Sequence, residues 1–406
     1  MGVKRSTLLS ATLLTLSLAA QTALTSGSAA PVQITFWHSM EGVKDVVAGY
    51  ARDFNASQNQ YEVLPTSVGN YRETPAKLQA AIKAGNAPVL FQAEFTYFNK
   101  LVGDGQLVNL DKYAAGLDGS FVKDFYPAVW KAGEVGNVRY GLPWNVSTPV
   151  LFYNAAALRS SKASVPKTWT ELEATANRIR KGRRPLLTIA DAWTFEALVS
   201  TRGGKLVVNG KPTFDSPEAV DALEQLARMV KGGSAQARTL DEAVGAAVDF
   251  VRGQNIMVAA SIANWTDFQK LPFVELGAAQ FPCEKVCTVP IGGANLGIVK
   301  GSSAQEQAGA LAFWKFLMEP ARLADWVKNT AYVTPRRSVQ ASLEGYYAKN
   351  PYRKAAYDQM DDTTPRPTAP DYYTWQKYLE DAIHKASTGQ MTAQAALQEA
   401  QRRASQ

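Results

Sequence analysis

The stretch TFWHSMEGVKDVVAGYARDFNAS, residues 35–57, decides how this chain is read. Val43, Val46, Val47, Tyr50 and Phe54 recur at the spacing of one helical face, so an amphipathic helix follows FWHSM. Residues 32–36 ahead of it read as a strand, which places Trp37 and His38 at the turn between strand and helix. Downstream, YEVLPTSV (61–68) supplies the next strand, and Leu78, Ala81 and Ile82 mark another helical face. AGNAP (84–88) closes that helix and the apolar run VLFQA (89–93) follows. Strand alternating with helix means βαβ units, hence an α/β chain with a mostly parallel sheet covered by helices. Such sheets bind ligands beyond the carboxyl ends of their strands. Trp37 and His38 are therefore expected to line or floor a cleft, His38 as a buttress rather than a contact.

The pattern continues after GLPWNVSTPVLFYN (141–154). PKTWTELEATANRIRKG (166–182) opens a helix with Thr168 as N-cap and Glu171 three residues on, the spacing of a capping box. KLVVNGKPTF (205–214) signals a hairpin around Asn209-Gly210. DSPEAVDALEQLARMVKGG (215–233) is a helix with Pro217 in its first turn and glycines past its end. QNIMVAAS (254–261) reads as a buried strand. From residue 291 to 320 a strand, the capping box Ser303–Glu306 and a helix stopped by Pro320 succeed one another. Residues 372–404 are mostly helical, and no internal repeat interrupts the series.

The totals narrow the function. A chain of 406 residues holds two or three domains, and 46% hydrophobic with 19% charged residues is an ordinary globular balance. Nine tryptophans and sixteen tyrosines could line a sugar-binding cleft, although any single ring more often fills a core. Residues 1–29 read as a signal peptide: Lys4 and Arg5, the apolar LLSATLLTLSLAA (8–20), then small residues with cleavage expected after Ala29. No cysteine stands near to carry a lipid, so export as a soluble protein, to the periplasm or cell exterior, is expected. Losing Lys4 and Arg5 takes the formal charge from +7 to +5, and the basic residues are scattered, which does not point to nucleic acid.

Cys283 and Cys287 are the only cysteines, and in an oxidising compartment a local disulfide is expected. Zinc would need two further ligands, while the only histidines, His38 and His384, lie far away, so no metal or other cofactor is expected. There is no Walker A sequence and no GxGxxG after a strand. His384 falls late in a helix and neither histidine lies in a GxSxG context. Binding without catalysis is the reading these residues support. A secreted hydrolase acting on sugars would need two acids about 5–10 Å apart across a cleft.

FWHSMEG (36–42), GNY (69–71) with GNAP (85–88) shortly after, STPVLFYN (147–154), PKTWTEL (166–172), IGGANLGIV (291–299), TAYVTPRRS (330–338) and GQMTAQAALQEAQ (389–401) together carry a resemblance. Through nearly its whole length the chain resembles the extracellular solute-binding proteins of ABC importers, maltose-binding-protein-like in fold. Within them it is most similar to the branch that binds glycerol-3-phosphate and glycerophosphodiesters such as glycerophosphocholine. The resemblance implies a type II periplasmic-binding-protein fold: two α/β lobes around a cleft, joined by three crossings near residues 145–150, 287–293 and 333–340. It implies one lobe from 31–145 with 293–335 and another from 150–288 with 340–406. It also implies an ABC permease as partner, a monomer, and no enzymatic activity. An oligosaccharide or disaccharide is the alternative ligand on this scaffold.

By the same resemblance Tyr71, Ser147, Ser261, Gly293, Tyr332 and Arg366 match positions that hold phosphate and glycerol, and Trp193 matches a tryptophan set against the glycerol. That set suits an oxyanion, since one guanidinium gives charge-assisted contacts and hydroxyls with a glycine backbone add neutral donors. Each residue also has a plainer use: Ser147 can cap a turn before Pro149, and Gly292-Gly293 can serve a strand bend. Two departures stand out. The family's glycerol-binding glutamate is matched here by Phe95, with Glu94 one position early, and on a strand one residue reverses the face. The spacing from Arg366 to the following proline is one residue short.

Overall fold

The computed structural model describes Met1, Gly2 and residues 30–406, so the expected leader falls, but for its first two residues, outside the described residues. Ten strands build the two main sheets. In chain order they are β1 (Val32–His38), β2 (Tyr61–Ser67), β3 (Leu90–Glu94), β4 (Gly141–Ser147), β5 (Pro149–Asn154), β6 (Leu186–Ala190), β7 (Ala235–Thr239), β8 (Met257–Ser261), β9 (Leu276–Gln280) and β10 (Gly292–Ile298). The first sheet has the order β2-β1-β3-β10-β4 and the second β7-β6-β8-β5-β9. In each, one strand second from an edge runs against the other four. The reversed strands, β5 and β10, are those by which the chain enters a sheet directly after leaving the other. The passage from β4 to β5 is the single residue Thr148, and residues 281–291 lead back from β9 to β10. Two sheets so connected are the cores of two lobes.

The helices follow from the apolar spacing. In α1 (Lys44–Ser57) the buried residues are Val47, Tyr50, Ala51 and Phe54, the i, i+3, i+4, i+7 positions of one face. Further helices are α2 (Thr74–Lys83), α3 (Phe95–Gly103), α4 (Trp169–Ile179), α5 (Ala192–Ser200), α6 (Pro217–Lys231), α7 (Ala304–Leu317), α8 (Pro320–Thr330), α9 (Tyr372–Ser387) and α10 (Ala393–Ala404). Thr168 caps α4 through the Glu171 N–H at 3.0 Å, and Ser303 and Glu306 close a full capping box on α7. Asn209 and Gly210, both at positive φ, make the turn of the short hairpin 207–212. Cys283 and Cys287 are joined in a disulfide beside the start of α4, where Cys283 exchanges backbone hydrogen bonds with Lys167 and Trp169.

One expectation is corrected here. β1 does not end at Phe36 but runs on through Trp37 and His38, which pair with Thr66 and Ser67 of β2. The ladder hydrogen bonds available from β2 extend the strand past the point where its alternating pattern stops being legible. Side chains then alternate: Phe36 and His38 face the interior, and Trp37 turns to the opposite face, against the cluster of Phe91, Tyr97 and Phe98.

Most of the aromatic content is core. Phe36, Trp144 and Trp326 form a chain of contacts with ring centroids 5.6 and 5.2 Å apart, and Tyr332 stacks on Trp326 at 5.6 Å. Helix α7 lies so close to β1 that a Cβ on Gly309 would stand 2.6 Å from Ile34 and Tyr61 side-chain carbons. Glycine inside a helix ordinarily costs about 0.5–1 kcal/mol relative to alanine, and here the close approach explains it. Gly309→Val should destabilise the lobe by about 2 kcal/mol, as is typical of an overpacked core, seen as a lower urea midpoint in a circular-dichroism titration.

Candidate functional site

The carboxyl ends of strands from both sheets meet at one cavity of about 720 Å³. Glu94 ends β3, Ser147 ends β4, Ser261 ends β8, Asp191 follows β6, and Gly293 lies at the start of β10. Tyr71, Trp193, Tyr332 and Arg366 complete the set of sequence-derived residues that line it. Eight of the ten expected positions are therefore brought together from across the chain. Trp37 and His38 do not line the cavity, because the longer β1 carries them into the lobe.

His38 buttresses instead. It is 2% exposed, and its Nδ1 accepts the N–H of Met40, a residue of the cavity wall, at 3.2 Å. Burial pushes its pKa down to about 4, against a small opposing pull from Glu41.

The donor end of the cavity centres on Tyr71. Gln92 and Asn145 are fully buried polar residues on β3 and β4, and both give an amide N–H to the Tyr71 oxygen, at 3.2 and 3.0 Å. Gln92 also donates to Asn145 Oδ1 at 2.8 Å and accepts the Ser39 N–H at 2.7 Å, so neither amide can flip without losing partners. A phenol oxygen has two acceptor positions and one proton. With both positions filled, the Tyr71 O–H can only donate, either to the adjacent Tyr332 or into the cavity. Burial, then Tyr332, holds the Tyr71 pKa well above the usual phenol value, and burial pushes that of Tyr332 up to about 12. Both rings stay protonated.

Gly293 has φ +117°, and a side chain there would collide with the Asn145 backbone oxygen at the irregularity where β10 meets β4. A Cβ on Gly292 would stand 2.6 Å from the Trp193 ring and 2.7 Å from Ser147 Oγ. These glycines let β10 approach the wall closely. Trp193 is pinned there, its Nε1 donating to Ile291 O at 3.2 Å. Ser261 Oγ accepts the Ala263 N–H at 3.2 Å, which leaves its own proton for other partners.

Arg366 is 5% exposed and borders the cavity, but it is not the lone guanidinium that sequence reasoning anticipated. Its Nε donates to Glu196 at 2.8 Å, Nη1 to Glu94 at 3.3 Å and Nη2 to Gln376 Oε1 at 2.9 Å. Of five N–H groups, two are left for anything else. Tyr372 donates to the same Glu196 oxygen at 3.0 Å. Burial opposes charge on Arg366, yet Glu196 and Glu94 together hold its pKa above the ordinary guanidinium value. Burial raises the pKa of Glu196, with Arg366 pulling the other way.

Glu94 resolves the one-residue shift. As N-cap of α3 it turns its carboxylate along the cavity wall, Oε2 accepting from the Thr96 N–H at 2.9 Å and Oε1 from Arg366. Phe95, at the family's glutamate position, is 1% exposed in the core.

Sequence reasoning missed one wall altogether. Tyr373, Gln376, Lys377 and Glu380 of α9 all line the cavity, at i, i+3, i+4, i+7. That polar stripe was the available signal. Glu380 is pushed up to about 7 by burial and by Asp191. Acids along the wall (Glu41, Glu94, Asp191, Asp267, Glu380) outnumber Arg72, Arg366 and Lys377. At the rim Arg72 and Asp241 pair at 2.8 Å between the lobes, both exposed enough that the pair contributes little. Among the described residues no group of three or more His, Cys, Asp or Glu is placed to hold a metal ion, and no helix is long and apolar enough to cross a membrane.

Residues 49–356 match the family described as bacterial extracellular solute-binding protein. The chain belongs to this family. A solute-binding protein of an ABC transporter accounts for the cavity between two lobes. Relatives include the sn-glycerol-3-phosphate-binding periplasmic protein UgpB of Shigella dysenteriae, 27% identical over 424 residues, 96% of this chain and 95% of that protein. UgpB of Escherichia coli K12 is 26% identical over 423 residues, with the same coverage. Among solved structures, UgpB of Mycobacterium tuberculosis in complex with glycerophosphocholine matches with a TM-score of 0.82 at 22% identity, over 92% of this chain and 97% of that one. The GacH receptor of Streptomyces glaucescens, solved unliganded and with acarbose, matches at 0.81 and 22% with the same coverage. These solute-binding proteins share the two-lobed fold.

The His38 buttress generates a prediction. Free imidazole protonates near pH 6.5 and the folded one near 4, so between these values the unfolded chain binds more protons and acid favours unfolding. Stability is complete above pH 6.5 and falls by about 3 kcal/mol as pH drops to 4. His38→Gln should flatten that slope in melts taken across this window.

Proposed function

We propose that the protein captures a phosphorylated glycerol, sn-glycerol-3-phosphate or a glycerophosphodiester such as glycerophosphocholine, outside the cytoplasmic membrane. It passes the ligand unchanged, as a monomer, to the transmembrane subunits of an ABC importer. The observation that carries this reading is Tyr71, whose oxygen is saturated by Gln92 and Asn145, so that its hydroxyl serves only as a donor. A phosphate, rich in acceptor lone pairs, answers a site in which Tyr71, Tyr332, Ser147, Ser261 and the Gly293 backbone supply neutral donors from several directions. The two uncommitted N–H groups of Arg366 add charge-assisted bonds on the same ligand. Trp193 offers a flat apolar face to the glycerol carbons, and Glu94, which lines the cavity, accepts from a glycerol hydroxyl. The names of the relatives, at 26–27% identity over nearly the full chain, support the same class.

A second reading, an oligosaccharide, is favoured by one specific observation: Arg366 is neutralised by Glu196 and Glu94, and a neutral polyol needs no unopposed cation. A thermal-shift panel separates the two. Glycerol-3-phosphate and glycerophosphocholine should raise the melting temperature while maltose and trehalose do not. A ligand at a hundred times its Kd adds about 2.7 kcal/mol of stability. A shift with the sugars alone transfers the assignment to the second reading.

Tyr71→Phe removes the forced donor without emptying its space. Loss of one hydrogen bond to a charged acceptor should cost about 1.5–3 kcal/mol of binding, read as a weakening of roughly tenfold or more by calorimetry. Unchanged affinity in that variant would detach Tyr71 from the ligand.

A further inference from the structure

We propose that the cavity is built for the singly charged phosphate of a diester and disfavours the doubly charged phosphate of a monoester, with Glu196 as the positioning residue that sets this preference through Arg366. The proposal rests on the phosphoglycerol reading above and narrows it.

Glu196 does not line the cavity. It sits behind Arg366, 5% exposed, accepting the Nε–H at 2.8 Å and the Tyr372 O–H at 3.0 Å. Glu94 takes a second edge of the same guanidinium. Two carboxyl groups therefore face one guanidinium, so the cluster carries no surplus positive charge. The other wall cations are also opposed: Arg72 pairs with Asp241, and Lys377 stands beside Glu380. A ligand phosphate meets hydrogen-bond donors in abundance but no net cation.

Neutral donors serve a singly charged phosphate well, because each bond is worth most where water is excluded. A second negative charge on the ligand gains no further counter-charge and meets Glu94 and Glu380 across the cavity. Like charges brought together in this way cost several kcal/mol. The cavity volume of about 720 Å³ suits a ligand larger than a three-carbon monoester, leaving room for a second ester arm. Glu196 also holds the guanidinium plane, which leaves one N–H on each of Nη1 and Nη2 uncommitted.

The test is titration calorimetry on the full mature chain at pH 8, where a phosphate monoester is doubly charged because its second pKa is about 6. Three ligands are compared: glycerol-3-phosphate, glycerophosphocholine, and glycerophosphoglycerol, a diester without a cation. Both diesters should bind at least about tenfold more tightly than the monoester. Glu196→Gln, which keeps an acceptor for the Arg366 Nε–H but removes the charge, should shrink that ratio by about threefold or more. A merely structural Glu196 would weaken all three ligands alike and leave the ratio unmoved, which overturns its role. A monoester that binds as tightly as the diesters overturns the inference while the phosphoglycerol reading stands. Binding of glycerophosphocholine alone assigns the selectivity to its cation and overturns the charge argument. If none of the three binds, the phosphoglycerol reading itself falls.

Discussion

A guanidinium taken out of water must find its counter-charge in the protein, and Arg366 finds it in Glu196 and Glu94. That constraint organises the cleft. Glu196 comes from the second lobe and Glu94 from the first, so one buried cation ties both lobes to the segment that carries Arg366. Gln376 extends the tie, accepting from Arg366 and donating to Thr96 at 2.8 Å. Removing one partner from such a cluster ordinarily costs 3–5 kcal/mol (~4 kcal/mol), because a charge is left buried and unmatched. The cluster is therefore a structural joint as well as the border of a binding cavity, and its charge balance sets what the cavity can hold.

The opposite end of the cavity obeys a different rule. There the determining groups are neutral, and specificity comes from filled valences rather than charge. Gln92 and Asn145 are amides in strand interiors with no access to water, so each must be bonded, and the geometry leaves the Tyr71 oxygen as their shared acceptor. A hydroxyl so committed becomes a directional donor. The fold supplies the setting, since sheets whose strands run mostly one way collect their carboxyl ends on one side, and the two lobes turn those sides toward each other.

Particular residues show how far the sequence could be read. The helix 44–57 was legible because four apolar side chains repeat at its own period, and the caps at Thr168 and Ser303 because capping is a local exchange of hydrogen bonds. The end of β1 was not, since its last two residues are held by pairing with β2, a partner some thirty residues away. Tyr71, Ser147, Gly293 and Tyr332 could be placed in the cleft through motifs around them. Glu196 could not, for it lies in a mostly apolar helix and its partner is 170 residues distant. The stripe on α9 was visible as spacing, but spacing does not say whether a polar face meets solvent or a cavity.

The sequence by itself determined the alternation of strands and helices, the two-lobed fold and the family, because these depend on local periodicity and on motifs that persist in linear order. Only the tertiary structure decided that Arg366 is shared between two carboxyl groups, that Tyr71 must donate, and that Glu94 rather than Phe95 reaches the cavity. Those outcomes depend on which side chains from remote segments arrive within hydrogen-bonding distance, and burial makes every such arrival a matter of satisfying charge and valence that no single segment can satisfy alone.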